Sequence, residues 1–213
     1  MKMVCFSDTH GQHRSKKLNK WFKDNPADIL IFAGDYQLNS LDTGEDFINW
    51  ISELSYRYKI VIPGNHDNNS EVAKIKSKEY SDINFLIHNS IEIEGINFFA
   101  SAYSRTFGHW SFMTDEDTLE YLYEKIHLDT EILVTHTPPF KKLDLTFIGD
   151  RAGSTSLRNK IEQLPNLKYN IFGHIHEARS SEMIDGVQYI NCSIVDEKYK
   201  LINDPYIFEF EKE

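Results

Sequence analysis

Ile60-Val61-Ile62-Pro63-Gly64-Asn65-His66-Asp67 decides how the rest of this 213-residue chain is read. Three β-branched apolar residues in a row suit a strand buried on both faces. Pro63 and Gly64 stop that strand and turn the backbone sharply. Asn65, His66 and Asp67 then fall at the carboxyl end of the strand, where open α/β sheets place their ligands.

Four other apolar runs end the same way. Residues 2–6 lead into Ser7-Asp8-Thr9-His10-Gly11, and residues 28–33 into Gly34-Asp35. Residues 130–135 stop at His136, and 169–172 at Gly173-His174-Ile175-His176. Helical spacing of apolar residues is expected over 16–23, 43–56, 115–127 and 154–164, and a polar helix over 71–80. Residues 84–88 and 90–101 read as strands with a turn at Glu94-Gly95, so antiparallel pairing enters there. Residues 103–112 are aromatic and irregular, and 187–192 and 206–210 alternate as closing strands. Strand-helix units followed by an antiparallel set indicate an α/β fold with two sheets.

The bulk numbers narrow the class. No linker divides the chain, so residues 1–213 are expected to form one domain. Thirty-three acids against twenty-three bases give a net charge of −10, which argues against a membrane binder or a sequence-blind nucleic-acid binder. An anionic small substrate stays open, because bound divalent ions reverse the local field. Cys5 and Cys192 lie in apolar runs and read as buried free thiols, comfortable in a reducing compartment. No apolar run approaches membrane-spanning length. The N-terminus runs straight into a motif and leaves no room for a signal peptide. The expected location is cytoplasmic.

The strand ends carry metal-ligand chemistry. Alternate residues of a strand point the same way, so Asp8 with His10, and His174 with His176, can converge as the strand frays into its loop. Glycines 34, 64 and 173 allow the tight turns that aim the side chains. Carboxylate, imidazole and amide oxygen suit Mn²⁺, iron in either oxidation state, or Zn²⁺. The absence of thiolates argues against a closed structural zinc site. Asp8, His10, Asp35, Asn65, His136, His174 and His176 are more donors than one tetrahedral ion needs. With Asp35 shared, they suit two divalent ions about 3.5–4 Å apart.

The ordered set D-x-H, G-D, G-N-H-D, H, G-H-x-H, spanning Asp8 to His176, resembles the calcineurin-like metallophosphoesterase superfamily. The resemblance implies that Asp8, His10, Asp35 and His176 hold one metal, and Asp35, Asn65, His136 and His174 the other. It implies that His66 binds no metal and faces the leaving-group oxygen. The implied fold is two mixed β-sheets packed face to face with helices on the outer faces, a four-layer sandwich. Phe98-Phe99-Ala100, His109-Trp110-Ser111-Phe112, I-L-V-T-H-T-P-P-F at 132–140 with Asp144, and F-G-H-I-H-E at 172–177 look like the metallophosphoesterase-domain-containing group. Class III cyclic-nucleotide phosphodiesterases are broader relatives. Protein Ser/Thr phosphatases carry an Asp and an Arg shortly after G-D. Here Tyr36, Gln37, Leu38 and Asn39 follow instead, which lowers the phosphatase reading.

The expected activity is therefore hydrolysis of a small phosphodiester, a nucleotide (cyclic ones included) or an aryl ester, by in-line attack of a metal-bridging hydroxide. His66 and Asn65 are the catalytic candidates. Tyr36, Asn39, Tyr103, Phe107, His109 and Trp110 are candidates to rim the substrate, with core or lid packing as the plainer alternative for the aromatics. Arg105 and Arg151 are surface charges that could meet an anion. Asp67 either orients a histidine or caps the following helix. His13, His88 and His127 read as surface or capping residues. The alternatives are a phosphomonoesterase or nuclease on the same centre, and a scaffold without chemistry.

Overall fold

The computed structural model describes residues 1–38 and 43–212. The strands are β1 (Lys2–Phe6), β2 (Ile29–Ala33), β3 (Tyr58–Ile62), β4 (Ile83–Phe85), β5 (His88–Ile93), β6 (Ile96–Ser101), β7 (Ser104–Arg105), β8 (Met113–Thr114), β9 (Ile132–Thr135), β10 (Tyr169–Phe172), β11 (Ser180–Ile184), β12 (Val187–Asn191) and β13 (Tyr206–Glu209). The helices are α1 (Lys16–Asp24), α2 (Gly44–Ser52), α3 (Ser70–Ser77), α4 (Glu116–Tyr123) and α5 (Thr155–Ile161).

Two mixed sheets result. The first runs β13-β1-β2-β3-β4 and the second β11-β12-β10-β9-β6-β5. Their central strands are parallel, and antiparallel neighbours stand at three of the four edges, β4 being parallel to β3. Period-2 alternation explains the layering. Met3, Cys5, Ile29, Ile31, Ile60 and Ile62 face Phe98, Ala100, Ile132, Val134, Ile171 and Ile190 across the space between the sheets. The intervening residues Val4, Phe6, Leu30, Phe32 and Val61 point outward onto Leu18 and Phe22 of α1 and Phe47, Trp50 and Ile51 of α2. On the other side Phe99, Leu133 and Phe172 meet Leu119 and Tyr123 of α4 and Leu157 and Ile161 of α5. The expected four-layer arrangement is thus the observed one.

The two sheets join where β1 and β12 end. Ser7 and Ser193 form a parallel bridge, with Ser7 N donating to Cys192 O at 3.1 Å and Ile194 N to Ser7 O at 3.3 Å. That seam brings the carboxyl ends of both parallel sets to one rim. Among the described residues, no helix is long and apolar enough to cross a membrane.

Some expectations change. The strand expected over 84–88 is β4, ending at Phe85 and pairing parallel with β3 in the first sheet, while β5 begins at His88 and pairs with β6 in the second. The Glu94-Gly95 turn is present, with φ of 52° and 76°. Helices α2, α3, α4 and α5 are shorter than expected. Strand β11 alternates no apolar residues because it is a largely exposed edge.

Candidate metal centre and active site

Five loops meet at the seam, and backbone hydrogen bonds lace them together. Asp8 N donates to Gly34 O at 2.8 Å, His10 N to Asp35 O at 3.1 Å, and Gly11 N to Tyr36 O at 2.8 Å. Gly173 N donates to His136 O at 3.1 Å, and His174 N to both carboxylate oxygens of Asp8 at 3.2 Å. Asp8, His10, Asp35 and His174 all have positive φ, from 41° to 71°. Residues with side chains adopt this region at a cost, and such strain collects at functional sites. Two glycines admit the close approach. A Cβ on Gly64 would strike the Asp35 carboxylate and the His136 ring; one on Gly173 would strike Ser7 Oγ and Asp8 Oδ2.

The histidines are aimed through their outer nitrogens. His10 Nδ1 lies 3.1 Å from Gln37 O, His136 Nδ1 2.9 Å from Ala33 O, and His176 Nδ1 3.0 Å from Asp196 O. A carbonyl can only accept, so each Nδ1 is the N–H, and Nε2 is the nitrogen left to bind an ion when the ring is neutral. His10 Nε2 and His176 Nε2 then face each other at 3.3 Å, with Asp8 Oδ1 3.4 Å from His176 Nε2. His136 Nε2 faces Asn65 Oδ1 at 2.9 Å and Asp35 Oδ2 at 3.4 Å. With neutral rings these contacts set acceptor against acceptor, an arrangement that a proton or a metal ion between them makes favourable. Donors sharing one ion at about 2.1 Å lie roughly 3.0–3.4 Å apart, so the spacing fits metal coordination.

Two triads emerge: Asp8, His10 and His176, and Asp35, His136 and His174, each with donor atoms within 4.8 Å of one another. Asp35 links them. Its Oδ1 accepts from His66 N at 2.9 Å. Its Oδ2 is 3.7 Å from His10 Nε2 and 3.4 Å from His136 Nε2.

The protonation of the centre before an ion binds follows from burial and these neighbours. Burial lowers His10 to about 4. Burial, then the charge of His136, lowers His174 to about 3. Burial also acts to lower His136, but the adjacent Asp35 more than offsets it and takes the ring up to about 9. Burial acts to raise Asp8 and Asp35. The hydrogen bond and charge of His176 bring Asp8 down to about 2, and His136 holds Asp35 below the usual carboxylate range. The centre therefore keeps its carboxylates ionised and holds a proton where a metal ion would sit.

All seven expected donors lie at this rim. His66 sits beside them, half-buried, with its ring 4.8 Å from His10 and stacked on Trp110 at 4.4 Å. The substrate candidates divide. Phe107 and Trp110 line a cavity of about 510 Å³ above the centre, together with Arg105 and Arg151. Tyr36 does not: it is fully buried and stacked on Phe47, because it continues the outward-facing side of β2 into the helix layer. Tyr103 packs into the α4 side of the core, and His109 is exposed and does not line the cavity. Asn39 lies outside the described residues. His13 is buried against Asp46 at 2.8 Å rather than at the surface. His88 is half-buried, its Nε2 reaching Leu122 O at 2.9 Å near the end of α4.

Asp67 does neither thing expected of it. Its Oδ2 accepts from Gly64 N at 2.7 Å and Asp35 N at 3.0 Å, and its Oδ1 from Gln37 N at 2.9 Å. It clamps the loop after β2 to the loop after β3. Sequence reasoning also missed Tyr199. Its ring touches His10 and His176 at centroid distances of 4.6 and 5.6 Å, from a backbone φ of 58°.

Comparison with known proteins agrees with this geometry. Residues 1–178 match the calcineurin-like phosphoesterase family, and the chain belongs to it. Metallophosphoesterase domain-containing protein 1 of Homo sapiens is 29% identical, covering 98% of this chain and 70% of its own length. UPF0046 protein T07D4.2 of Caenorhabditis elegans is 27% identical over 98% of this chain, which spans only 60% of the worm protein. Among solved structures, phosphopantetheinyl hydrolase (PptH) of Mycobacterium tuberculosis shares the fold, with a TM-score of 0.61 at 16% identity over 93% of this chain and 90% of that one.

Proposed function

We propose that this chain is a dinuclear metal-dependent phosphodiesterase acting on a small phosphodiester, a nucleotide or an aryl ester. The observation that carries the reading is the single oxygen, Asp35 Oδ2, lying within 3.7 Å of His10 Nε2 and 3.4 Å of His136 Nε2. Asp8, His10, Asp35 and His176 would hold one ion, and Asp35, Asn65, His136 and His174 the other; nitrogen and oxygen donors suit Mn²⁺, iron or Zn²⁺. Two such ions, when bound, neutralise charge on the phosphoryl oxygens and acidify water near neutral pH.

The chain's own residues do the rest. Asn65 and His136 set the position of the phosphate above the Asp35 carboxylate. His66 stands beside the centre, stacked on Trp110, where its ring can hydrogen-bond the departing oxygen. Charge supports a diester over a monoester or nucleic acid. Asp150, Glu177 and Glu197 line the cavity against Arg105 and Arg151, and Arg151 is paired with Asp144 at 2.6 Å. A singly charged phosphate suits that balance better than a dianion or a polyanion. Buried free Cys5 and Cys192 are consistent with a cytoplasmic setting.

The test compares bis-p-nitrophenyl phosphate with p-nitrophenyl phosphate in Mn²⁺, before and after chelation. The reading expects faster turnover of the diester, abolished by chelation and restored by metal. Faster monoester turnover, or activity indifferent to chelation, overturns it.

A further inference from the structure

The cavity has an apolar mouth that binding a phosphate group does not require. Two loops build it. One carries Phe107 and Trp110, 64% and 49% exposed. Phe107 lies 5.4 Å from the His174 ring, and the loop is tied to the centre by Ser111 N donating to Asn65 O at 3.0 Å. The other carries Phe147 and Ile148, 77% and 67% exposed. It is a tight turn in which Thr146 N donates to Asp150 O and Gly149 N to Thr146 O, both at 2.9 Å. Phe147 N donates to Glu177 Oε1 at 2.8 Å. Turn tips ordinarily carry polar residues. This one holds two large apolar side chains in water, and Ile148 lines the same cavity as Phe107 and Trp110.

What covers this surface follows from its neighbours. The apolar wall begins at a ring of the metal centre and continues outward, so it is in reach of a substituent on a phosphate held there. About 510 Å³ lies in the range for a ligand much larger than phosphate. The acids on the rim and the net charge of −10 disfavour an anionic bilayer or a nucleic acid. We infer that the site is built for an amphiphilic phosphodiester: a singly charged phosphate over the centre, with one long alkyl or arylalkyl substituent lying across Phe107, Trp110 and Ile148. The inference rests on the diester reading above and narrows it.

Binding of methyl alkyl phosphates with butyl, hexyl and octyl chains tests this, measured by calorimetry on the metal-loaded protein at monomeric ester concentrations. A fully buried methylene is worth about fourfold in affinity. An open wall that covers half of each chain gives about twofold per methylene, or about sixteenfold from butyl to octyl. The Phe107→Ser/Ile148→Ser double variant is expected to flatten that slope. A dissociation constant that stays within twofold along the wild-type series overturns the inference, as does a slope unchanged in the variant. Tighter binding of a cyclic nucleotide than of the octyl ester also overturns it. So does binding to phosphatidylcholine vesicles without chain-length dependence, which would indicate a bilayer surface instead. If bis-p-nitrophenyl phosphate is hydrolysed but the slope is absent, only this inference fails. If the slope is present and no diester is hydrolysed, the diesterase reading fails instead.

Discussion

Replacing Asp67 by Asn tests whether the centre is preorganised by a residue that touches no ligand site. The Asp67 carboxylate accepts three backbone N–H groups, from Gly64, Asp35 and Gln37. An asparagine can place its carbonyl oxygen where Oδ2 stands and keep two of them. Its NH₂ then faces the N–H of Gln37, donor against donor. One hydrogen bond is lost, worth about 0.5–1.5 kcal/mol because burial and the neighbouring Asp35 push this carboxyl up and weaken its anionic character, and a buried N–H is left unsatisfied at about 1–3 kcal/mol more. The expected destabilisation is about 2–4 kcal/mol, or roughly 5–10 °C in Tm for a chain of this size. Asp35 also loses firm hold of its left-handed backbone, so metal affinity is expected to fall about 10- to 100-fold, as it does when outer supports of ligands are removed. Differential scanning calorimetry and metal titration read the two effects. A Tm change under about 2 °C with unchanged metal affinity would refute the reasoning.

Three further outcomes are expected. His66→Ala should leave metal content intact and slow esters with poor leaving groups about tenfold or more beyond its effect on p-nitrophenyl esters; equal losses on both would remove its role toward the leaving oxygen. His136 holds its proton up to about 9 before an ion binds, and a metal needs the neutral ring. Below that pH metal binding must therefore release a proton, and affinity should rise toward a plateau above it, by up to about tenfold per pH unit. Calorimetry at pH 7 in buffers of different ionisation heat counts those protons, and a count of zero contradicts the assignment. Gly173→Ala puts a Cβ against Ser7 Oγ and Asp8 Oδ2, so it should displace the Asp8 carboxylate and cost about 1–3 kcal/mol. A variant with wild-type Tm and metal stoichiometry would show that the approach is looser than described.

The donors were legible because strand ends leave a local signature: an apolar run, a glycine or proline, then a carboxylate or imidazole. Strand alternation is not what brings Asp8 and His10 together: β1 ends at Phe6, and both residues are aimed by left-handed backbone in the loop beyond it. The supports were not legible, because they depend on which loops touch. Asp67 follows Gly64, Asn65 and His66 in sequence, yet its carboxylate serves Asp35 and Gln37 from another strand. Tyr199 sits in a loop with no motif and reaches the histidines only because β12 runs on past the seam. Aromatic candidates were ambiguous for a related reason. Tyr36 and Trp110 both flank a motif, but one continues the buried face of a strand and the other leaves it. The separation of 84–88 from 90–101 was legible, but not that β4 pairs with β3 in the first sheet while β5 pairs with β6 in the second.

The central claim is that one carboxylate oxygen lies between two cations. Anomalous diffraction at the manganese edge from crystals grown with Mn²⁺ tests it directly. The account predicts two peaks about 3.5–4 Å apart, one among Asp8, His10 and His176, the other among Asn65, His136 and His174, with Asp35 Oδ2 between them. One peak, or two that do not share Asp35, would contradict it.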